Sequence, residues 1–212
     1  MFHNAKKLIR SFIKEQNSAD LFLSHIINKT SKSDLVIDVG ANVGEFSKLF
    51  FGIGCEIVAI EPNLNAYKKL SELSTKYKKI KPLNAAACTF NGEASLFLHE
   101  NAREDNLYYS TGSSLLSNKT NVDSNNFEKV SAINLSEFIK NQRRPIRLLK
   151  IDIEGYEVEL IPHLINNSAL DYISFLLVET HEKKNPFLRA KTDLMKKMIN
   201  DIGFDRVCWD WH

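Results

Sequence analysis

A doubly wound α/β fold, a mostly parallel sheet with helices on both faces, follows from two features of this sequence. Apolar, β-branched runs recur along the chain, and segments of helical periodicity separate most of them. Strands covered by helices on both sides read as continuous apolar runs, whereas a sheet with one wet face alternates.

The strand candidates are "DLVIDV" (34–39), "CEIVAIE" (55–61), "IKPLNAAAC" (80–88), "IRLLKID" (146–152) and "YISFLLVET" (172–180). Helical segments fall at 43–51, 63–77, 135–141 and 155–167. One segment departs from the pattern: "EASLFLHE" (93–100) alternates like a half-exposed antiparallel strand. Residues 101–126 follow it, rich in Asn, Ser and Asp, and read as an active-site loop, because long structureless stretches in compact domains are usually functional. The end of the chain, with Val207, Trp209 and Trp211 on one side, reads as a last strand packed on a helix.

Composition narrows the function classes. With 212 residues the chain suits a single domain over 1–212. Apolar residues make up 43% and charged ones 25%, as in ordinary soluble proteins. Twenty-eight Lys and Arg against 26 Asp and Glu leave +2, so no strong field points to DNA or to a membrane surface. The basic runs "YKKIKP" (77–82) and "RRPIR" (143–147) read as solvated faces. No apolar run approaches the ~20 residues of a spanning helix. Cys55, Cys88 and Cys208 lie far apart in apolar runs, which suits reduced thiols and a cytoplasmic protein. The first 30 residues read as a helical extension with one apolar stripe (Ala5, Leu8, Ile9, Phe12, Ile13) that packs on its own domain. An interfacial anchor or transit peptide is the alternative there.

The chemistry centres on "DVGANVGEFS" (38–47), where the first strand gives way to a helix. Ligands of open α/β sheets bind beyond the carboxyl ends of the strands, at such a turn. Gly40 and Gly44 allow close backbone approach, and Asn42 tolerates a left-handed conformation. The pattern Asp38-x-Gly40-x-Asn42-x-Gly44 differs from the dinucleotide fingerprint G-x-G-x-x-G. An acid at Asp38 would repel a phosphate but welcome an ammonium group. Glu61 falls roughly twenty residues after Gly40, the position from which an acid accepts both ribose hydroxyls. S-adenosyl-L-methionine satisfies these conditions, with its ammonium toward Asp38, ribose toward Glu61 and adenine near Asn84 and Ala85. A tight packing turn without a ligand is the competing reading.

The sequence resembles the FkbM family of S-adenosylmethionine-dependent methyltransferases. The likeness rests on "VIDVGANVGEFS" (36–47), "GSSLL" (112–116), "LLKIDIEGYEVELI" (148–161) and "LLVETH" (176–181), and covers residues 34–182. It implies a class I, Rossmann-like methyltransferase fold and methyl transfer to oxygen, with sugar hydroxyls prominent among acceptors.

Independently of that likeness, two strands end in charge. "KIDIEG" carries Lys150, Asp152 and Glu154 at alternate positions, and "VETH" carries Glu179 and His181 with the same spacing. On neighbouring strands these groups would converge beside the cofactor, although a structural ion-pair network would use the same residues. Methyl transfer to an alcohol needs in-line placement and a base. His181 has the intrinsic pKa for that work, with Asp152 and Glu179 positioned to orient it. The carboxylates could instead hold a divalent metal, which the reading does not require. Ser113 and Ser114 of "GSSLL" are expected to bind the acceptor.

The expected activity is therefore S-adenosylmethionine-dependent O-methylation of a hydroxyl on a small-molecule sugar or glycoconjugate. A methyltransferase acting on RNA or protein, and a non-catalytic cofactor-binding subunit, are the alternatives.

Overall fold

The computed structural model describes residues 18–101, 112–117, 119 and 122–209. The expected amphipathic stripe within residues 1–16, Trp211 and much of the 101–126 segment lie outside the described residues.

Six strands form one sheet in the order β3-β2-β1-β7-β8-β9, and every ladder in it is parallel. They are β1 (Leu35–Val39), β2 (Glu56–Ile60), β3 (Ile80–Leu83), β7 (Ile146–Ile151), β8 (Ile173–Val178) and β9 (Val207–Cys208). The helices are α1 (Ser18–Lys29), α2 (Glu45–Lys48), α3 (Leu64–Lys76), α4 (Leu135–Asn141), α5 (Glu157–Asn166) and α6 (Arg189–Asp201). Among the described residues no helix is long and apolar enough to cross a membrane.

Period-two alternation sends each strand's side chains to two cores. Leu35, Ile37 and Val39 join Leu149 and Ile151 in a cluster with Ile139 of α4, Leu160 of α5 and Met195 of α6. Val36 and Leu148 face the other way, onto Ile26 of α1, Phe46 of α2 and Leu70 of α3. The fold is thus doubly wound and Rossmann-like, with helices on both faces as the continuous apolar runs require.

The sequence expectation needs correction in two places. The run 80–88 is not one strand. Asn84 donates through Nδ2 to the carbonyls of Glu61 and Pro62, and the chain turns out of the sheet after Leu83. Its second half, β4 (Ala86–Cys88), joins β5 (Gly92–His99) and β6 (Val122–Asn134) in a separate sheet of order β4-β6-β5. β5 is antiparallel to β6, as its alternation suggested. Residues 122–126, expected as loop, are the start of β6. That strand escaped detection because it buries almost nothing: six of its thirteen residues are exposed and only Ala132 is buried.

The C-terminal strand matches the expectation: Val207 and Trp209 pack on the main core, and the Lys196 ammonium of α6 lies 5.8 Å from the Trp209 ring. Cys55 and Cys88 are buried and Cys208 partly so, none of them in a disulfide.

Candidate functional site

The strand order reverses between β1 and β7, so the crevice at the carboxyl edge opens there. Register aligns the last strand residues Ile60, Val39, Ile151 and Val178 in one row. The next position on each chain is therefore also a row, and it reads Glu61, Gly40, Asp152, Glu179. Backbone bonds fix it: Gly40 N–H donates to Ile60, Asp152 N–H to Val39 and Glu179 N–H to Ile151. Three acids flank one glycine across the sheet tip, bordering a cavity of about 300 Å3.

Gly40 is required by the chain itself. Its φ is +73°, and a β-carbon there would stand 1.7 Å from the Asp152 carbonyl oxygen. Asn42 adopts the left-handed conformation (φ 47°), with its side chain accepting from Val43 N–H. Gly44, at φ +88°, faces the Leu70 and Leu73 side chains, so it serves helix packing rather than ligand approach.

Asp38 and Lys150 stand directly opposite each other on β1 and β7. Both are buried, 3.4 Å apart. The Asp38 carboxylate also accepts from the Ser47 hydroxyl at 2.7 Å. Asp38 does not border the cavity, so the acid expected to meet an ammonium group is held inside the fold. Lys150 donates to the Gly40 carbonyl at 2.8 Å and pairs with Asp152 at 3.2 Å. Burial opposes its charge, yet the Asp152 and Asp38 carboxylates hold its pKa above the ordinary value. This lysine ties the glycine loop to the end of β7.

Glu61 borders the cavity and is buried. Its oxygens accept from Asn42 N–H (2.9 Å) and Asn63 N–H (2.8 Å). Burial outweighs those two donors and pushes its pKa up to about 7. Ala85 borders the cavity as expected, whereas Asn84 spends its amide on the β2 turn described above and does not.

On the other side Asp152, Glu154 and Glu179 line the cavity with Ser113 and Ser114. Ser114 is a structural peg: its hydroxyl donates to the Glu154 carbonyl, and its backbone pairs with Phe97. The Ser113 hydroxyl is buried without a hydrogen-bond partner. Glu154, in a left-handed conformation (φ 57°), forms an ion pair with buried Lys119.

His181 is fully buried and does not border the cavity. Its Nδ1 donates to Glu157 Oε1 at 3.1 Å, and its backbone N–H donates to the same oxygen. Its Nε2 faces Glu154 at 3.5 Å, Glu179 at 3.7 Å and Asp152 at 3.8 Å. Burial works against protonation, but Glu157, then Glu154 and Asp152, raise its pKa above the ordinary value. The ring expected as a base thus lies behind the carboxylates, oriented by Glu157 rather than by Asp152 or Glu179.

Three participants went unread in the sequence: Glu157, Lys119 and Lys184, whose ammonium pairs with Glu179 at 3.0 Å. Glu157 carried a signal, because it occupies the apolar stripe of α5 with Leu160, Ile161 and Leu164. The two lysines carried none.

A family model described as the Methyltransferase FkbM domain matches residues 38–205. A methyltransferase FkbM from Methylobacillus flagellatus KT superimposes with a TM-score of 0.50 at 15% identity, over 81% of this chain. The present chain spans 38% of that protein's length, and at this identity the likeness speaks for the fold alone. An rRNA methylase from Streptococcus thermophilus gives a TM-score of 0.49 at 11% identity, over 90% of this chain and 82% of its own. No curated protein sequence matches the chain.

Proposed function

The chain belongs to the FkbM methyltransferase family, and we propose that it uses S-adenosylmethionine to methylate a hydroxyl of a sugar or glycoconjugate. The observation that carries the reading is the row of strand-tip residues, with one acid on the glycine-loop side and two on the far side. Glu61, beside the loop, is where vicinal ribose hydroxyls would donate. Ala85 and Ala86 offer an apolar wall for the base. Glu61, Gly40 and Ala85 would hold the cofactor, and its sulfonium would supply the methyl group on the Asp152 side of the cavity.

The acceptor oxygen attacks the methyl carbon, the carbon–sulfur bond breaks, and its electron pair stays on sulfur as a neutral thioether. The hydroxyl proton passes to a carboxylate at the cavity wall. Asp152 stands beside Gly40 and is the nearest such group along the strand-tip row. A polyol meets this wall well, because its hydroxyls supply donors to Asp152, Glu154 and Glu179. An acceptor without donors would leave the carboxylate lone pairs that the lysines do not reach without hydrogen bonds.

Incubation with methyl-labelled cofactor and a panel of sugars, sugar nucleotides, RNA and peptides tests the reading. Label recovered as a sugar methyl ether is the expected result. Label in RNA alone would overturn the acceptor assignment, and failure to bind S-adenosylhomocysteine would overturn the cofactor assignment.

A further inference from the structure

We propose that Asp152, Glu154 and His181, with Glu179 beside them, form a binding site for one divalent cation of the Mn2+ type at the acceptor end of the cavity. One candidate ligand atom from each of Asp152, Glu154 and His181 lies within 4.8 Å of the others. Ligands bound about 2.0–2.4 Å from a single ion stand roughly 3–5 Å from one another, so these atoms already have the spacing of a coordination shell.

Acidic groups near one another are common on proteins, and the histidine is what distinguishes this cluster. Nε2 is buried with no hydrogen-bond partner. It faces three carboxylate oxygens at 3.5, 3.7 and 3.8 Å, each too far for a hydrogen bond. A ring nitrogen that merely joined an ion-pair network would close on one of them. Nδ1 is meanwhile fixed by Glu157, which is itself fully buried. A carboxylate on the far nitrogen sets the tautomer and turns the Nε2 lone pair inward, the arrangement that ligating histidines generally show.

The lysines act as placeholders. Lys150 takes Oδ2 of Asp152 and leaves Oδ1 toward the ring. Lys119 on Glu154 and Lys184 on Glu179 use the same oxygen that faces Nε2, and an arriving ion would share it. One imidazole with several carboxylates suits Mn2+ better than Ca2+, which favours an all-oxygen shell, or a thiolate-seeking ion.

The ion's catalytic role rests on the methyl-transfer reading above; the site itself does not. A bound cation lowers the pKa of a coordinated hydroxyl by several units, so a carboxylate suffices as the proton acceptor.

The test is titration of MnCl2 into the purified full chain, followed by the loss of the free-ion electron paramagnetic resonance signal. One Mn2+ per chain is expected, with affinity lowered at least tenfold in Asp152→Asn and His181→Gln. Glu157→Gln, outside the coordination shell, is expected to weaken binding about 10–100-fold. Should His181→Gln fail to fold, Glu154→Gln gives the same comparison. Absence of stoichiometric binding at millimolar Mn2+, or binding indifferent to these substitutions, would overturn the site. Calorimetry with S-adenosylhomocysteine separates the two ideas. Nucleoside binding without Mn2+ binding removes the cation site and leaves the methyltransferase reading, while Mn2+ binding without nucleoside binding does the reverse.

Discussion

Gly40 and Asp152 are in backbone contact: a β-carbon on Gly40 would lie 1.7 Å from the Asp152 carbonyl oxygen. The glycine loop after β1 and the tip of β7 are thus locked together through one missing side chain. Gly40→Ala must force β1 and β7 apart at their tips, and it adds left-handed strain of about 1–2 kcal/mol. We expect that variant to be insoluble or to lose most of its stability in urea denaturation. Gly44→Ala presses instead on the ends of Leu73 and Leu70, which can rotate. It carries the same left-handed strain, at φ +88°, and with the overpacking should fold with a loss of about 2–5 kcal/mol. Equal stability of the two variants would contradict this assignment of roles.

Glu61 ties stability to pH in a direction opposite to most acids. Its pKa is raised by burial to about 7, from 4.5 in the unfolded chain. The folded state holds the proton more tightly, so this contribution is fully present below pH 4.5 and is lost as pH rises through about 7. At 1.36 kcal/mol per unit the loss is roughly 3 kcal/mol. Glu61→Gln should flatten that part of the stability profile and make the ligand-free protein more stable at pH 8. It should also weaken S-adenosylhomocysteine binding by about 1–3 kcal/mol, since ribose hydroxyls donate best to the ionised carboxylate. A wild-type stability curve that rises steadily from pH 5 to 8 would rule out this role for the group.

Much of this site is legible in the sequence because strand geometry is periodic. Acids placed just past apolar runs land in one row once parallel register aligns the strands, and Glu61, Asp152 and Glu179 could be found that way. What the spacing does not give is which way a tip residue faces. Asp38 and Lys150 lie two residues before the row, directly opposite each other on β1 and β7 within the buried sheet, and so turn into each other. His181 lies three residues past β8, where the chain has left the sheet and alternation no longer applies. Strand β6 and Lys119 sit in polar sequence whose order comes from tertiary partners alone.

Glu157 holds three N–H donors at once. It is fully buried, accepts both the ring and backbone N–H of His181, and takes Gly155 N–H on its other oxygen. Glu157→Ala leaves a buried ring N–H and two backbone donors without partners. A loss of about 3–5 kcal/mol follows, the usual result of removing one member of a buried pair. Thermal and urea unfolding measure it, and a loss below 1 kcal/mol would show that the ring finds another partner among the three carboxylates.

Ser113 and Ser114 are adjacent in sequence but should respond in opposite ways to the same substitution. The Ser114 hydroxyl donates to the Glu154 carbonyl at 2.8 Å and accepts from Leu116 N–H at 3.1 Å. Ser114→Ala therefore strips a half-buried carbonyl and a backbone donor of their partner, and should cost about 1–3 kcal/mol of stability. The Ser113 hydroxyl borders the cavity and has no partner to lose. Ser113→Ala should leave stability unchanged or raise it by up to about 1 kcal/mol, because an unsatisfied hydroxyl disappears from the interior. Its effect belongs to the ligand instead: one neutral hydrogen bond of about 0.5–1.5 kcal/mol, read as a KM for the acceptor raised roughly 2–12-fold. If the hydroxyl contacts the acceptor equally in ground and transition states, kcat stays constant while KM rises. A Ser113→Ala enzyme that is destabilised, with KM unaltered, would mean that the hydroxyl holds the loop rather than the acceptor.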